Sequence, residues 1–279
     1  MNKNKKQKSS RLLNLSELTK EVSNVGSIDG NYVGKFRLML KASSFAPQEY
    51  EVSLLLKHVM RVYLIFIIEL CCTGLLVWYM YLRPDILLRI LKVLFAVHGI
   101  FLIGGYLAII LLLFYAEIKK SLLLEFLSTI GIITFLGIPM GLIPILYDRN
   151  IIFEALVLTI IIFASSALFG FLTKNNLTGW GAPLAGGLLA LIALGFFQYY
   201  YQNSILNMLI LVADILVFTL YTAYDNQMIK IRFLDKLRDD IPDTTGSWWM
   251  LAMSSAIDIY LDFINLFLDI LSLLGDDDD

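Results

Sequence analysis

The feature that most constrains this chain is a series of seven apolar runs, each long enough to cross a lipid bilayer. A membrane-spanning helix needs about 20 mainly apolar residues. The 279 residues are 58% hydrophobic and 16% charged, whereas soluble domains are nearer half apolar and a quarter charged. The sequence therefore predicts an all-α, polytopic membrane protein. The runs lie at 62–82, 94–114, 126–147, 151–173, 181–198, 205–228 and 253–274.

The charges divide the chain into three parts. Residues 1–61 hold eleven basic and five acidic residues, without an apolar core long enough for a signal peptide. They are predicted to form a basic cytoplasmic tail. Residues 62–274 hold the seven predicted transmembrane helices, and 275–279 form an acidic tail. The short connections between runs make successive helices antiparallel neighbours.

Lysine and arginine predict the orientation, since cytoplasmic loops carry an excess of both. With the amino terminus in the cytoplasm, 18 of the 22 basic residues lie inside and 4 outside. Lys230, Arg232, Lys236 and Arg238 count among the cytoplasmic residues, and the loop before the last helix is expected at 234–247. For acids of the last two helices to meet, the sixth helix must continue past Asp225 towards Ile231 and the seventh must enter the bilayer near Ser254. Seven crossings send the acidic tail outside. Six crossings with a re-entrant last segment are the alternative, and they return that tail to the inside.

Acidic side chains interrupt several of the apolar runs. A charged aspartate at a helix centre costs about 2.5–3.5 kcal/mol on insertion scales, so these acids are expected to face protein or water. The sequence places no lysine or arginine deep in a run to pair with them. They are expected to be protonated, to share protons or to hold cations. The acids are Glu69, Glu154, Asp214, Asp225, Asp258, Asp262 and Asp269.

Polar residues in the last two runs follow helical spacing. In the seventh run they lie at i, i+4, i+7 and i+11, which is one stripe of an α-helix. Asp214 and Asp225, in the sixth run, are three turns apart and share a face. The rest of the seventh helix is apolar around its circumference, which suits the middle of a bundle. The stripe consists of Asp258, Asp262, Asn265 and Asp269.

Two motifs resemble those of the Bax inhibitor-1 family, also called transmembrane Bax inhibitor motif proteins. One is Tyr-Asp-Asn-Gln at 224–227, and the other is Ile-Tyr-Leu-Asp-Phe-Ile-Asn-Leu-Phe at 259–267. The resemblance covers 62–274. It implies a seven-helix bundle with the last helix in the centre. It also implies a bacterial member in the plasma membrane that acts as a pH-sensitive Ca²⁺ leak and not as an enzyme.

The resemblance also assigns roles to residues. In that family two aspartates, one from each of the last two helices, form a proton-sensing pair that corresponds to Asp225 and Asp262. Two carboxyl groups in contact cannot both ionise cheaply, so such a pair shares a proton. The same two residues are candidate cation ligands. The neighbouring polar residues expected to line the path or bind the ion are Asp258, Asn265, Asp214 and Asp269.

The chain departs from the family pattern at one position. Some bacterial members have an arginine near the cytoplasmic end of the second helix, where it can form an ion pair with a carboxylate. We call such an ion pair a latch. Here the matching place holds Glu117, followed by Lys119 and Lys120. The latch is therefore expected to use a lysine or to be missing.

Two other functions remain open on the sequence. One is a non-conducting regulator of a quality-control protease or another membrane partner, with the basic tail as its contact. The other is an intramembrane aspartyl protease, which is disfavoured because Asp262 lacks the Gly-x-Gly that precedes the second acid in those enzymes. The expected partners are the bilayer, Ca²⁺ and protons, with no cofactor. Nucleic-acid binding is not expected without a basic folded domain.

Overall fold

The computed structural model describes residues 49–94, 100–119, 121–238 and 245–275. Within these ranges the chain forms nine α-helices, a short 3-10 turn at Thr178–Trp180, and no strand. The helices are α1 (Glu49–Leu82), α2 (Pro84–Leu94), α3 (Ile100–Lys119), α4 (Leu122–Met140), α5 (Ile143–Leu146), α6 (Arg149–Leu172), α7 (Gly181–Tyr201), α8 (Ser204–Arg238) and α9 (Thr245–Gly275).

Five helical stretches are long and apolar enough to cross a membrane by length and composition, which confirms an all-helical chain of membrane type. They cover all or nearly all of the first and the third to sixth predicted runs. The second and seventh runs lie largely in α3 and α9, of 20 and 31 residues. The five stretches are Glu51–Leu82, Leu122–Leu146, Arg149–Leu172, Thr178–Tyr201 and Ser204–Leu237.

The first helix begins before the predicted start of the membrane domain. α1 starts at Glu49, and Val52 and Leu55 near its beginning are fully buried. Leu55 packs against Phe233 and Leu234 of α8. The helix therefore includes the last residues of the segment assigned to the basic tail. The rest of that segment, 1–48, and the acidic residues 276–279 lie outside the described residues.

The last helix packs against four others. α9 contacts α1, α4, α6 and α8, whereas α7 packs against α8 and α3 packs against α4. Ala256, Ile259 and Leu266 of α9 are fully buried. Because α9 is covered on several sides, its polar residues face neighbouring helices.

The helices α6 and α8 approach each other closely at Gly170. A Cβ atom at Gly170 would overlap the backbone carbonyl oxygen of Ala223. One turn earlier, the Ser166 hydroxyl donates a hydrogen bond to the carbonyl oxygen of Thr219. Small residues that let backbones approach are typical of membrane helix interfaces. This contact holds α8, the helix that carries Asp214 and Asp225, close to α6.

Replacing Gly170 with alanine is expected to destabilise the fold by about 1–3 kcal/mol, because the backbone cannot yield as a flexible side chain would. The transition in detergent, followed by circular dichroism, should fall by about 2–4 °C per kcal/mol. Gly195→Ala on α7 is the matched control, since a Cβ there meets nothing within 4 Å. Equal transition temperatures for the two variants would contradict the close contact.

Candidate functional site

A polar cavity of about 580 Å³ lies between α7, α8 and α9. Its apolar wall includes Leu188, Leu191 and Ile192 of α7. The structure brings all six predicted polar residues of the last two helices into its lining. They are Asp214, Asp225, Asp258, Asp262, Asn265 and Asp269, and Tyr221 joins them.

The two helices present these residues to one cavity because both run well past the acids. For Asp225 and Asp262 to meet, α8 had to continue past Asp225 towards Ile231, and this is confirmed, since α8 extends to Arg238. The last helix was expected to enter the bilayer near Ser254, and this residue lies inside α9, which begins at Thr245. Asp225 and Asp262 therefore lie inside their helices, where the backbone holds them firmly.

The carboxyl groups of Asp225 and Asp262 lie within hydrogen-bonding reach of each other. Asp225 is 9% exposed and Asp262 is 3% exposed. A carboxylate has no hydrogen to donate, so one member of a bonded pair must carry a proton. The Thr222 hydroxyl lies near Asp262 but donates to the carbonyl oxygen of Phe218 at 2.9 Å. Among the described residues, Asp262 Oδ2 has no hydrogen-bond partner, so the pair is poorly supplied with other donors.

Arg232, one of the basic residues expected in the cytoplasm, pairs with one of the cavity acids. The Arg232 Nη1 atom donates a hydrogen bond to Asp258 Oδ2 at 2.7 Å, and the two side chains are 39% and 34% exposed. Arg232 lies outside the predicted run 205–228, and for that reason it was not considered as a partner of the acids. Arg232 follows Asp225 by seven residues and therefore lies on the same face of α8. This spacing would have identified Arg232 from the sequence if the sixth helix had been continued that far.

Other basic residues expected in the cytoplasm also belong to α8. Lys230 is fully buried, and its Nζ atom donates to the carbonyl oxygen of Phe171 at 3.4 Å. The Lys236 ammonium lies 4.7 Å from the ring centroid of Trp248 and donates to the carbonyl oxygen of Ser247. The helix therefore extends beyond the expected Ile231 to Arg238, and these lysines find partners on α6 and α9.

The predicted latch residues do not supply the observed cation. Lys119 has an exposed side chain whose Nζ lies 5.7 Å from the ring centroid of Tyr115 on its own helix. The side chain of Glu117 and all of Lys120 lie outside the described residues. Arg232, from a different helix, holds the cavity carboxylate of Asp258.

The last two residues of the Tyr-Asp-Asn-Gln motif fasten α8 to its neighbours. Asn226 accepts a 2.6 Å hydrogen bond from the Tyr63 hydroxyl of α1. Gln227 accepts a hydrogen bond from the Leu177 backbone N–H at 2.7 Å and donates to the carbonyl oxygen of Asn175 at 2.9 Å. The motif thus ties α1 and the α6–α7 connection to the helix that carries Asp225. Sequence reasoning used these residues only as a family signature.

A further buried acid, Glu69, belongs to α1 and lies near α9 on a side away from the polar cavity. Glu69 is 2% exposed, and neither of its carboxyl oxygens has a hydrogen-bond partner within the described ranges. One turn later, the Thr73 hydroxyl lies 2.8 Å from the Tyr260 hydroxyl of α9. Tyr260 and Asp262 are two positions apart, so they point to different sides of the helix. Glu69 does not line the polar cavity.

The described ranges contain no group of three or more His, Cys, Asp or Glu side chains arranged to hold a metal ion. The two aspartates of the pair, with the neighbouring asparagine and tyrosine, offer oxygen atoms around an open cavity instead. Calcium takes six to eight oxygen ligands and accepts water among them. A hydrated ion is the form of cation that such a cavity suits.

The chain is similar to known membrane proteins. The model of the family described as "Inhibitor of apoptosis-promoting Bax1" matches residues 55–279. The Escherichia coli K12 inner membrane protein YbhL is 30% identical over 50% of this chain and 58% of its own length. A protein of Borreliella burgdorferi is 32% identical over 50% of this chain and 58% of its own.

A membrane protein of Streptococcus pyogenes serotype M3 is 27% identical over 51% of this chain and 59% of its own length. The matched segment thus covers less than two thirds of each of these three relatives. All three matches are with bacterial proteins, and two of these relatives are described as membrane proteins.

Proposed function

Because this chain belongs to the Bax inhibitor-1 family, whose model matches residues 55–279, we propose that it is a pH-sensitive cation leak. The match confirms the resemblance carried by the motifs at 224–227 and 259–267. Ca²⁺ is the proposed transported ion, and the proposed gate is the pair of Asp225 and Asp262. The family membership supports the choice of Ca²⁺, since the side chains alone do not select among cations.

The observation that carries the proposal is the convergence of acids on one cavity with a proton-sharing pair in its wall. Five aspartates would be costly in lipid, yet here they line one cavity of about 580 Å³. Acidic side chains without an equal number of bases attract cations into such a space. The proposed path therefore runs along the facing sides of α8 and α9.

Sharing of one proton supplies the proposed gate. With one proton, the Asp225 and Asp262 carboxyl groups bond to each other and hold α8 against α9. Removing the proton at high pH leaves two repelling charges, and adding a second proton at low pH replaces a charge-assisted bond with a weaker neutral one. Both changes favour separation of the helices. The flux should be lowest where the pair holds a single proton.

The ion pair of Arg232 and Asp258 supports a second closing contact. Asp258 lines the cavity one helical turn from Asp262, and Arg232 neutralises it. Arg232 also lies close enough to interact electrostatically with Asp225. A permeating cation must compete with the guanidinium for the Asp258 carboxylate. In the proposed closed state, Arg232 takes the place of the lysine latch.

We also propose the finer topology: seven crossings with the last helix in the centre. The contacts of α9 with four helices support a central position, and α3 and α9 are long enough to add to the five candidate spans. The bias of basic residues favours a cytoplasmic amino terminus. The bacterial relatives, one an inner membrane protein, support a bacterial plasma membrane.

Purified full-length protein in liposomes tests the proposal without a partner. Ca²⁺-indicator flux is measured between about pH 5 and 8, the range in which protonation switches operate in cells. The expected result is a flux that varies with pH and passes through a minimum. Protein-free liposomes provide the baseline. Flux equal to this baseline at every pH would contradict the leak and favour the regulator of another membrane protein.

A further inference from the structure

An apolar cleft separates α1 from α6 on the outside of the bundle. Both helices pack against α9, but along their described lengths they do not pack closely against each other. Two cavities, of about 510 and 390 Å³, lie in the gap. On α1 the cleft runs from Val59 to Val77, which is about 27 Å at 1.5 Å per residue. This length is close to the thickness of a bilayer's hydrocarbon core, about 30 Å.

The larger cavity has an apolar floor and a mouth that opens sideways. Phe263 and Phe267 of α9 form part of the floor and are buried, whereas Gly74 of α1 and Leu156 and Ile160 of α6 are lining residues with exposed surface. These lining residues belong to two of the candidate membrane spans, so their exposed sides face lipid. The cavity therefore communicates with the bilayer and not with water.

The lining offers almost nothing for water to bind. Its one side-chain hydroxyl, on Thr73, lies 2.8 Å from the Tyr260 hydroxyl and 2.9 Å from the carbonyl oxygen of Glu69. A buried water needs two to four polar partners, and an apolar cavity without them stays dry. The acyl chains of the surrounding lipids are apolar, as the lining is, and they can reach the cavity from the bilayer.

Aromatic rings across the cleft decide which apolar group fits. The Phe66 and Phe163 rings stack with centroids 5.3 Å apart, and Phe263 contacts both, at 5.7 and 5.4 Å. A helix with its side chains is about 10–12 Å wide, so this bridge keeps the helix of a second copy or another protein out. A single extended hydrocarbon chain can lie beside the bridge without displacing it.

We propose that the larger cavity binds one hydrocarbon chain of a membrane lipid. The chain would enter between Gly74 and Ile160 and lie against Phe263 and Phe267. Phe263 follows Asp262 directly, so the lipid chain would contact α9 beside the acidic pair but on another side of the helix. The binding does not depend on the proposed leak, because it rests on the lining of a different cavity.

Photolabelling in vesicles tests the site with the full-length protein. Phosphatidylcholine with a diazirine in the middle of one acyl chain is irradiated in the presence of the protein, and the labelled residues are mapped by mass spectrometry. In the wild-type protein, label is expected on the cleft residues Met140 and Phe267, as well as on the exposed Leu75. Label on Leu75 alone would show that lipid stays outside and would overturn the proposal.

The variant Gly74→Leu fills the cleft, because a Cβ at Gly74 meets nothing within 4 Å. It is expected to lose the label on Met140 and Phe267 while keeping it on Leu75. Gly195→Leu is the control on α7, equally open at its Cβ and remote from the cleft, and it should label as the wild type does. Unchanged cleft label in Gly74→Leu would count against the site.

A second filling variant, Ala164→Leu on α6, guards against misfolding of the first. Ala164 lines both cavities and is exposed. Circular dichroism and gel filtration establish that each variant is folded, and label is compared only among folded variants. If two copies of the protein cross-link through the cleft and the cleft residues carry no lipid label, a second subunit occupies the cleft and the proposal of a bound lipid chain is overturned. Because the measurement is of binding, its failure leaves the leak proposal standing.

Discussion

Replacing Asp262 with asparagine is expected to remove the pH dependence of the flux and to keep it low. The amide N–H₂ of asparagine donates to the Asp225 carboxylate as a protonated carboxyl group would. The variant therefore keeps the bond between α8 and α9 without a proton to lose. Ca²⁺ flux into liposomes, measured as a function of pH beside the wild-type protein, checks this. A normal pH profile would exclude the pair as the sensor.

Alanine at the same position gives the opposite expected result. Asp262→Ala cannot bond to Asp225, and a hydrogen bond to a charged group contributes about 1.5–3 kcal/mol. At 1.4 kcal/mol for each factor of ten, the open fraction should rise on the order of 10- to 100-fold and lose its pH dependence. Asp225→Asn and Asp225→Ala should behave in the same two ways. Glu154→Gln, which replaces an exposed carboxyl group on α6, is the control. Its Ca²⁺ flux should depend on pH as that of the wild-type protein does.

Replacing Arg232 with glutamine is the second change with a large expected effect. It leaves the Asp258 carboxylate in the cavity without its cation, so Asp258 becomes available to the permeating ion. Breaking a fully buried pair costs about 3–5 kcal/mol, but both side chains here are more than a third exposed. A cost on the order of 1–2 kcal/mol is expected, and the Ca²⁺ flux should rise on the order of tenfold.

The partner variant separates charge from packing. Asp258→Asn leaves the Arg232 guanidinium beside the cavity without a counter-charge, so cation flux should fall and not rise. Opposite signs for the two single variants would show that charge and not packing governs the flux, and a double variant that departs from the sum of the two effects would show that the residues are coupled. If both single variants raise the flux equally, the ion pair is only a packing contact. The readout is the initial rate of Ca²⁺ entry at one fixed pH.

The acidic stripe was predictable because helical geometry is local. Spacings of four, three and four residues place Asp258, Asp262, Asn265 and Asp269 on one face wherever the helix lies. Their high cost in lipid then required a protein or water environment, and the structure places all four at one cavity. Asp225 can meet Asp262 only if the helix that carries Asp225 continues past this residue. The sequence permits this continuation, and the structure confirms it.

The carboxyl-terminal end of α8 was harder to predict. By hydropathy the sixth apolar run ends at Met228, because Lys230 and Arg232 are typical of a cytoplasmic loop. Their cost is offset by partners that come from other helices, the Phe171 carbonyl oxygen and the Asp258 carboxylate. Nothing in the local sequence indicates such partners.

Taken alone, the sequence determined the helical class, the membrane environment, the family and the faces on which the acids lie, because these depend on composition, on local periodicity and on two motifs. Only the tertiary structure decided which helices meet. It paired Arg232 with Asp258, brought Gly170 against Ala223 and left a cleft between α1 and α6. Such contacts join residues far apart in the chain, and their positions follow from the packing of the whole bundle.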